Sequence, residues 1–172
     1  TCDDFINAMS DASNKDLTQF KLWYSQSGTP SIRVSEAYDR ASETYSITLV
    51  QQSPVTTKQV APKALHIPIK LELITSENEN VNVQEHMIEL TRDTQSFNFS
   101  GLKCKPTIAL LADFTAPIKV NFVQDDEDTF TIISQAKNSF CRWDAGQKLL
   151  MSYIKSLTLN ADFVIPEQLL AC

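Results

Sequence analysis

The stretch LHIPIKLEL, residues 65–73, constrains this chain more than any other. Leu65, Ile67, Ile69, Leu71 and Leu73 alternate with His66, Pro68, Lys70 and Glu72. Successive side chains of a strand point to opposite faces, so a period of two places five aliphatic residues on one side and the polar set on the other. The same alternation returns in Ile32/Val34, Tyr45/Ile47/Leu49, Val81/Val83, Ile88/Leu90, Phe97/Phe99, Ile108/Leu110/Ala112/Phe114 and Ile118/Val120/Phe122. Eight such segments between residues 31 and 124 predict an antiparallel β-sandwich, because each sheet's apolar face needs a second sheet to cover it. Pro68 has no N–H to give a ladder, so it predicts an edge position or a bulge.

On either side the period changes to that of a helix. Thr1 and Asp4 read as a cap pair, and Phe5, Ala8, Met9 and Ala12 form an apolar stripe. After the turn at Ser13–Lys15 a second helix is expected, capped by Asp16 with Gln19 completing a capping box. Leu17, Phe20, Trp23 and Tyr24 would make its apolar face, Gly28 its left-handed C-cap, and Pro30 forbids continuation. Beyond the acidic run Asp125–Asp128, read as a charged turn capping a helix, the helical period resumes. Phe130, Ile133, Phe140, Trp143, Leu149, Leu150, Tyr153, Ile154 and Leu157 are its apolar positions, and Pro166 opens a further helix in IPEQLLAC.

Charge and composition exclude several classes. With 15 basic and 21 acidic residues, a net charge of -6 and a pI near 4.9, the chain has no electrostatic footprint for nucleic acid or an anionic membrane. Its longest apolar run, Ile108–Ala112, is far too short to span a bilayer. Cys2, Cys104, Cys141 and Cys172 are irregularly spaced, with no Cys-x-x-Cys pair, which predicts reduced buried thiols and a reducing, cytoplasmic setting. Glycines stand only at 28, 101 and 146, which leaves no phosphate-cradling loop.

Four features imitate sites. Gln84-Glu85-His86-Met87 sets a histidine beside a carboxylate, with Glu89 close behind, yet a metal or a general base would need further ligands, and His66 belongs to another strand. Asp125–Asp128 lacks the alternating spacing of a calcium loop. Asn98-Phe99-Ser100 is a formal glycosylation sequon, out of place in a reduced cytosolic chain. Trp23/Tyr24 and Trp143/Tyr153 could line a groove, but aromatic residues at helical spacing belong more often to packing.

Three stretches carry a family likeness. DLTQFKLWYSQSGTP, QQSPVTTKQVAPKALHIP and NSFCRWDAGQKLL, in that order, resemble the bacterial aminopeptidase N family of zinc-dependent gluzincin aminopeptidases. The pattern Trp-x-x-Gln-x-Gly-x-Pro, here Trp23, Gln26, Gly28 and Pro30, is shared more widely in that family. The resemblance implies a mainly β segment with helical flanks: residues 1–28 as the last helices of a thermolysin-like catalytic domain, 29–124 as an immunoglobulin-like β-sandwich, and 125–172 as the start of a C-terminal α-helical domain.

The family's His-Glu-x-x-His helix, its Gly-x-Met-x-Asn loop and its transition-state Tyr have no counterpart in this sequence. The resemblance therefore assigns no catalytic, cofactor-binding or metal-binding residue here: zinc and peptide hydrolysis belong to the parent enzyme, and this segment links its domains. The expected partners are those remaining domains, with peptides as the parent's substrates and self-association of the segment through apolar faces left uncovered around Phe20, Trp23 and Tyr24 and along the C-terminal helices. The competing reading is a free-standing β-sandwich that binds a peptide or protein at a sheet edge.

Overall fold

The computed structural model describes residues 1–56, 61–77, 80–160 and 163–166. Residues 57–60 of the second family-like stretch, the body of the helix expected after Pro166, and Cys172 lie outside the described residues. Among the described residues seven strands form two sheets. In chain order they are β1 (Ser31–Asp39), β2 (Thr44–Gln52), β3 (Ile67–Glu77), β4 (Asn80–Leu90), β5 (Thr94–Phe99), β6 (Thr107–Leu110) and β7 (Lys119–Asn121). One sheet has the order β5-β2-β1-β7, the other β4-β3-β6.

Several expectations change. Val81/Val83 and Ile88/Leu90 belong to one long strand, β4, the hairpin partner of β3, so the eight segments become seven strands. The sandwich is also not wholly antiparallel, because β7 runs parallel to β1, with Lys119 opposite Ser31. Ala112 and Phe114 do not continue β6; they lie in a 3-10 turn in which Leu111, Asp113 and Phe114 have φ of 60, 59 and 51°.

The inter-sheet core follows the alternation closely. Ile67, Ile69, Leu71 and Leu73 are fully buried against Ile32, Tyr45, Ile47, Leu49, Leu90 and Ile108. Burial of each such side chain contributes about 1.5–3 kcal/mol. Pro68 sits in the middle strand of its sheet, yet β6 pairs only with Leu71–Ile74, so the ladder is open beside the proline. Two residues on, the Lys70 N–H on that open side donates to Thr115 Oγ1 at 3.1 Å.

At the amino end α1 (Cys2–Ser13) starts with the expected Thr1/Asp4 capping box and ends at Asn14 in the left-handed conformation. Its buried residue is Ile6, while Phe5 and Met9 of the expected stripe are exposed. The second helix is shorter than its pattern suggests: a 3-10 turn at Gln19–Lys21, then α2 (Leu22–Ser25), ending at an extended Gln26. Asp16 Oδ1 does accept the Thr18 N–H, but the Gln19 side chain caps nothing local. Its Nε2 donates to the Ala64 and Thr91 carbonyls at 3.0 and 2.6 Å, a tertiary bond that displaces the local one.

At the other end α3 (Asp126–Gln135) and α4 (Ser139–Leu159) lie over the outer face of β4-β3-β6. The helix begins within the acidic run: Asp125 is the cap, accepting the Asp128 N–H at 2.8 Å, and three acidic residues occupy the first turn, where the helix dipole favours them. A second core joins Ile74, Ala109, Ala112, Ile132, Ala136, Cys141 and Ala145. The buried stripe of α4 is Cys141, Ala145, Leu149 and Tyr153, whereas Trp143, Leu150, Ile154 and Leu157 face outward. The nearest approach of α4 to the sheet is at Cys141, whose Sγ lies 3.5 Å from the Leu110 carbonyl, while its main neighbours are α3 and the 3-10 turn at Ala112–Phe114.

Candidate functional site

The chemistry-bearing residues gather at two junctions where helices meet the sandwich. At the first, every member of the Trp-x-x-Gln-x-Gly-x-Pro pattern has a structural task. Trp23 Nε1 donates to the His66 carbonyl at 2.8 Å. The Gln26 side chain mimics a strand, donating to the Lys63 carbonyl at 2.9 Å and accepting the Lys63 N–H at 2.6 Å. Gly28 has φ +89°, and a Cβ there would lie 2.8 Å from Pro54 Cγ, so both conformation and space demand glycine. Pro30 is buried, and its carbonyl accepts the Lys119 N–H that starts β7 at 2.9 Å.

Buried Gln51 reinforces this end from below. Its side chain exchanges two hydrogen bonds with the Leu65 backbone, at 3.0 and 2.8 Å, and donates to the Arg92 carbonyl. Beside it, Glu89 bridges Lys15 at 2.8 Å and His66 Nε2 at 3.0 Å, and the hydrogen bond from Lys15 holds its carboxyl below the usual range.

The second junction centres on Glu72. The alternation of β3 places it on the polar outer face, but α3 and α4 cover that face and leave it 1% exposed. Its two carboxylate oxygens accept the backbone N–H groups of Lys137 and Asn138 at 3.0 and 2.9 Å. Both N–H groups stand just before the first turn of α4, at the cap and the residue ahead of it, where no intrahelical carbonyl reaches them, and the carboxylate supplies their acceptors. Asn138 in turn caps α4, accepting from Phe140 and Cys141, and its Nδ2 donates to Asp113 Oδ1 at 2.6 Å. Asp113 also receives Lys70 Nζ at 2.8 Å, and these bonds lower its carboxyl pKa while they raise that of the lysine. Lys70 reaches Glu85 at 3.0 Å as well.

This closed network pins the strained turn at Leu111–Phe114 between the sheet and the start of α4. Left-handed backbone at non-glycine residues persists only where its surroundings over-determine it. Thr107 Oγ1 bonds Asp128 Oδ1 at 2.7 Å, and Tyr153 OH bonds Asp126 Oδ2 at 2.7 Å, fixing α3 at its far end. Burial and the Asp126 bond push the Tyr153 hydroxyl up to about 12.

The residues that imitate sites in the sequence do not converge. Strand geometry puts Glu85 and Glu89 on one face of β4 and His86 on the other. Glu85 pairs with Lys70, Glu89 with Lys15 and His66, and the His86 ring packs at a 57° tilt against Phe99, with centroids 4.8 Å apart. Among the described residues no group of three or more His, Cys, Asp or Glu side chains is placed to hold a metal ion. Asn98 of the sequon lies within β5. Of the thiols expected to be buried, Cys141 is buried and burial raises it to about 12, but Cys2 is exposed and Cys104 half-buried. Trp23 and Tyr153 bond within the fold, while Tyr24 and Trp143 are exposed.

Two facing sheets packed around one core, with helices against both ends, make an immunoglobulin-like sandwich. The chain belongs to that class: residues 28–123 match the family described as a domain of unknown function with an Ig-like fold (DUF3458). Among curated proteins it is similar to aminopeptidase N of Escherichia coli, 40% identical over 161 residues, and to that of Haemophilus influenzae, 38% identical over 161. Each alignment covers 90% of this chain and 18% of the relative, so the chain spans about a fifth of the length of the curated relatives it matches. Among solved structures, Legionella pneumophila aminopeptidase A in complex with aspartic acid shares the fold with a TM-score of 0.84 at 22% identity, over 99% of this chain and 19% of that one.

Proposed function

We propose that this segment is the non-catalytic joint of a zinc-dependent aminopeptidase that removes N-terminal residues from peptides. In this reading residues 1–28 close the catalytic domain, 29–124 form the sandwich, and 125–172 open a C-terminal helical domain. The observation that carries it is the 40% identity to aminopeptidase N across 90% of this chain but only 18% of that protein. The geometry supports the same reading, since both polar networks tie helices to the sandwich, through Trp23 and Gln26 at one end and Glu72 at the other. The joint would hold the flanking domains at a fixed angle, with the zinc, its ligands and the general base supplied from elsewhere in the polypeptide.

The parent enzyme is proposed to be cytoplasmic, and the segment on its own to self-associate through exposed Phe5, Met9 and Trp143. A free-standing binding module is not favoured, because the curated relatives are aminopeptidases. The test is hydrolysis of aminoacyl-arylamides by the full polypeptide that carries this sequence. Turnover abolished by a chelator and restored by zinc is the expected result, and a polypeptide with no such activity would overturn the proposal.

A further inference from the structure

The alternation of β4 puts one polar ring on the core side of its sheet. His86 pairs in register with Leu71, a fully buried core residue, so its side chain shares the inner face with Ile88 and Leu90. Its Nε2 is buried, and among the described residues no group donates to it or accepts from it. A buried polar atom without a partner costs stability, and a leucine or phenylalanine in the same place would carry no such cost. The nitrogen is therefore set up for a partner that the described residues do not supply.

The space beside it is an independent sign. β4 is the edge strand of one sheet and β5 of the other. Between these edges lies a cleft of about 610 Å³, a volume in the range of small-molecule sites. His86, Met87 and Ile88 of β4 and Phe97 and Phe99 of β5 line it. Met87 is 57% exposed, and Phe97 and Phe99 are only half-buried, so the walls offer free apolar and aromatic surface. The Phe99 ring lies 4.8 Å from that of His86 and 6.4 Å from that of fully buried Tyr45, which anchors this wall in the core.

We propose that this cleft binds a small neutral aromatic molecule carrying a hydroxyl group, of the phenol class, with its ring against Phe97 and Phe99 and its hydroxyl on His86 Nε2. Among the described residues that line the cleft there is no Asp, Glu, Lys or Arg, so nothing there would neutralise a charged ligand. A histidine ring nitrogen donates or accepts according to its tautomer, and a hydroxyl meets it in either role. Phenylalanine and methionine walls favour a ring, since aromatic and thioether contacts add to the burial of area. The site goes beyond the aminopeptidase reading and does not depend on it, because its lining residues belong to neither helix junction.

The experiment uses the full polypeptide with isotope-labelled methionine methyl groups, the Met87 signal being assigned by its loss in Met87→Leu. p-Cresol is titrated in, with toluene as the probe that lacks the hydroxyl and p-toluate as the probe that carries a charge. Expected are a saturable shift of the Met87 signal with p-cresol and nuclear Overhauser contacts from its ring to that methyl group. Toluene should bind at least about tenfold more weakly, the difference one hydrogen bond to an unpaired buried group makes, and p-toluate should not bind. In His86→Phe p-cresol should bind no better than toluene. A p-cresol titration without a saturable shift or without ring contacts to Met87 would overturn the proposal. So would toluene or p-toluate binding as tightly as p-cresol, or an advantage of p-cresol that survives in folded His86→Phe. Should that variant not fold, the three probes on the native protein decide the matter alone.

Discussion

The two faces of β3 are covered in different ways. Its inner face meets the other sheet through Ile67, Ile69, Leu71 and Leu73, large aliphatic side chains packed on Ile32, Tyr45, Ile47 and Leu49. Its outer face meets α3 and α4 through alanines and Cys141, with the Glu72 carboxylate sealed in the middle. The inner face is held by apolar area, which is strong and non-directional. The outer face is held by fewer apolar atoms and a set of directed hydrogen bonds, which fix orientation more than they add stability. A joint needs both: a rigid body, and an attachment with one allowed angle.

Four substitutions probe this contrast. Leu71→Ala, in the inner core, is expected to cost about 2–5 kcal/mol in denaturant unfolding, and a loss below that range would mean the sheets relax into the cavity. Glu72→Ala leaves the Lys137 and Asn138 N–H groups without acceptors, at about 1–3 kcal/mol for each. Hydrogen exchange should then accelerate at those two amides while strand amides stay protected; equal acceleration everywhere would mean that Glu72 supports the whole fold and not the junction alone. Cys141→Leu should cost about 1–3 kcal/mol by overpacking the helix–sheet contact, where Cys141 Sγ lies 3.5 Å from the Leu110 carbonyl, and a neutral result would show that contact to be loose.

The smallest effect is a pH dependence at the network's exposed edge. The Asp113 carboxyl is lowered by its hydrogen bonds from Lys70 and Asn138, so its contribution is complete above the ordinary carboxylate range and disappears as pH falls through the lowered value. The Tm difference between the native protein and Asp113→Asn should therefore hold constant from neutral pH downward and vanish in strong acid. A difference that survives at the lowest pH would place the effect in packing instead of charge.

The inner face was legible in the sequence because a period of two is a local property: five alternating aliphatic residues fix which side of β3 is buried whatever covers it. The Thr1 cap and the role of the Asp125 region were legible for the same reason. The outer face was not. Glu72 reads as a solvated strand residue, and only the arrival of α3 and α4 over it explains a buried carboxylate. The one sequence signal was Ile74, an apolar residue on the otherwise polar face of β3. On α4, size misled in part: Trp143 and Ile154 look like core and are exposed, while the helix buries Cys141 and Ala145 together with Leu149 and Tyr153. Gln19 and Gln51 gave no local warning at all, since their partners lie 14 to 72 residues away.

By itself the sequence determined the strands, the buried side of the central one, the helical flanks, and a resemblance that the comparisons bear out. It could do so because periodicity, caps and turn residues act over a few positions. Only the tertiary structure decided that β7 pairs parallel to β1, that Gln26 stands in for a strand, and that a lone carboxylate locks the helices onto the sheet. Each of those depends on backbone groups brought together from distant parts of the chain, and a hydrogen bond between them has no periodicity to announce it.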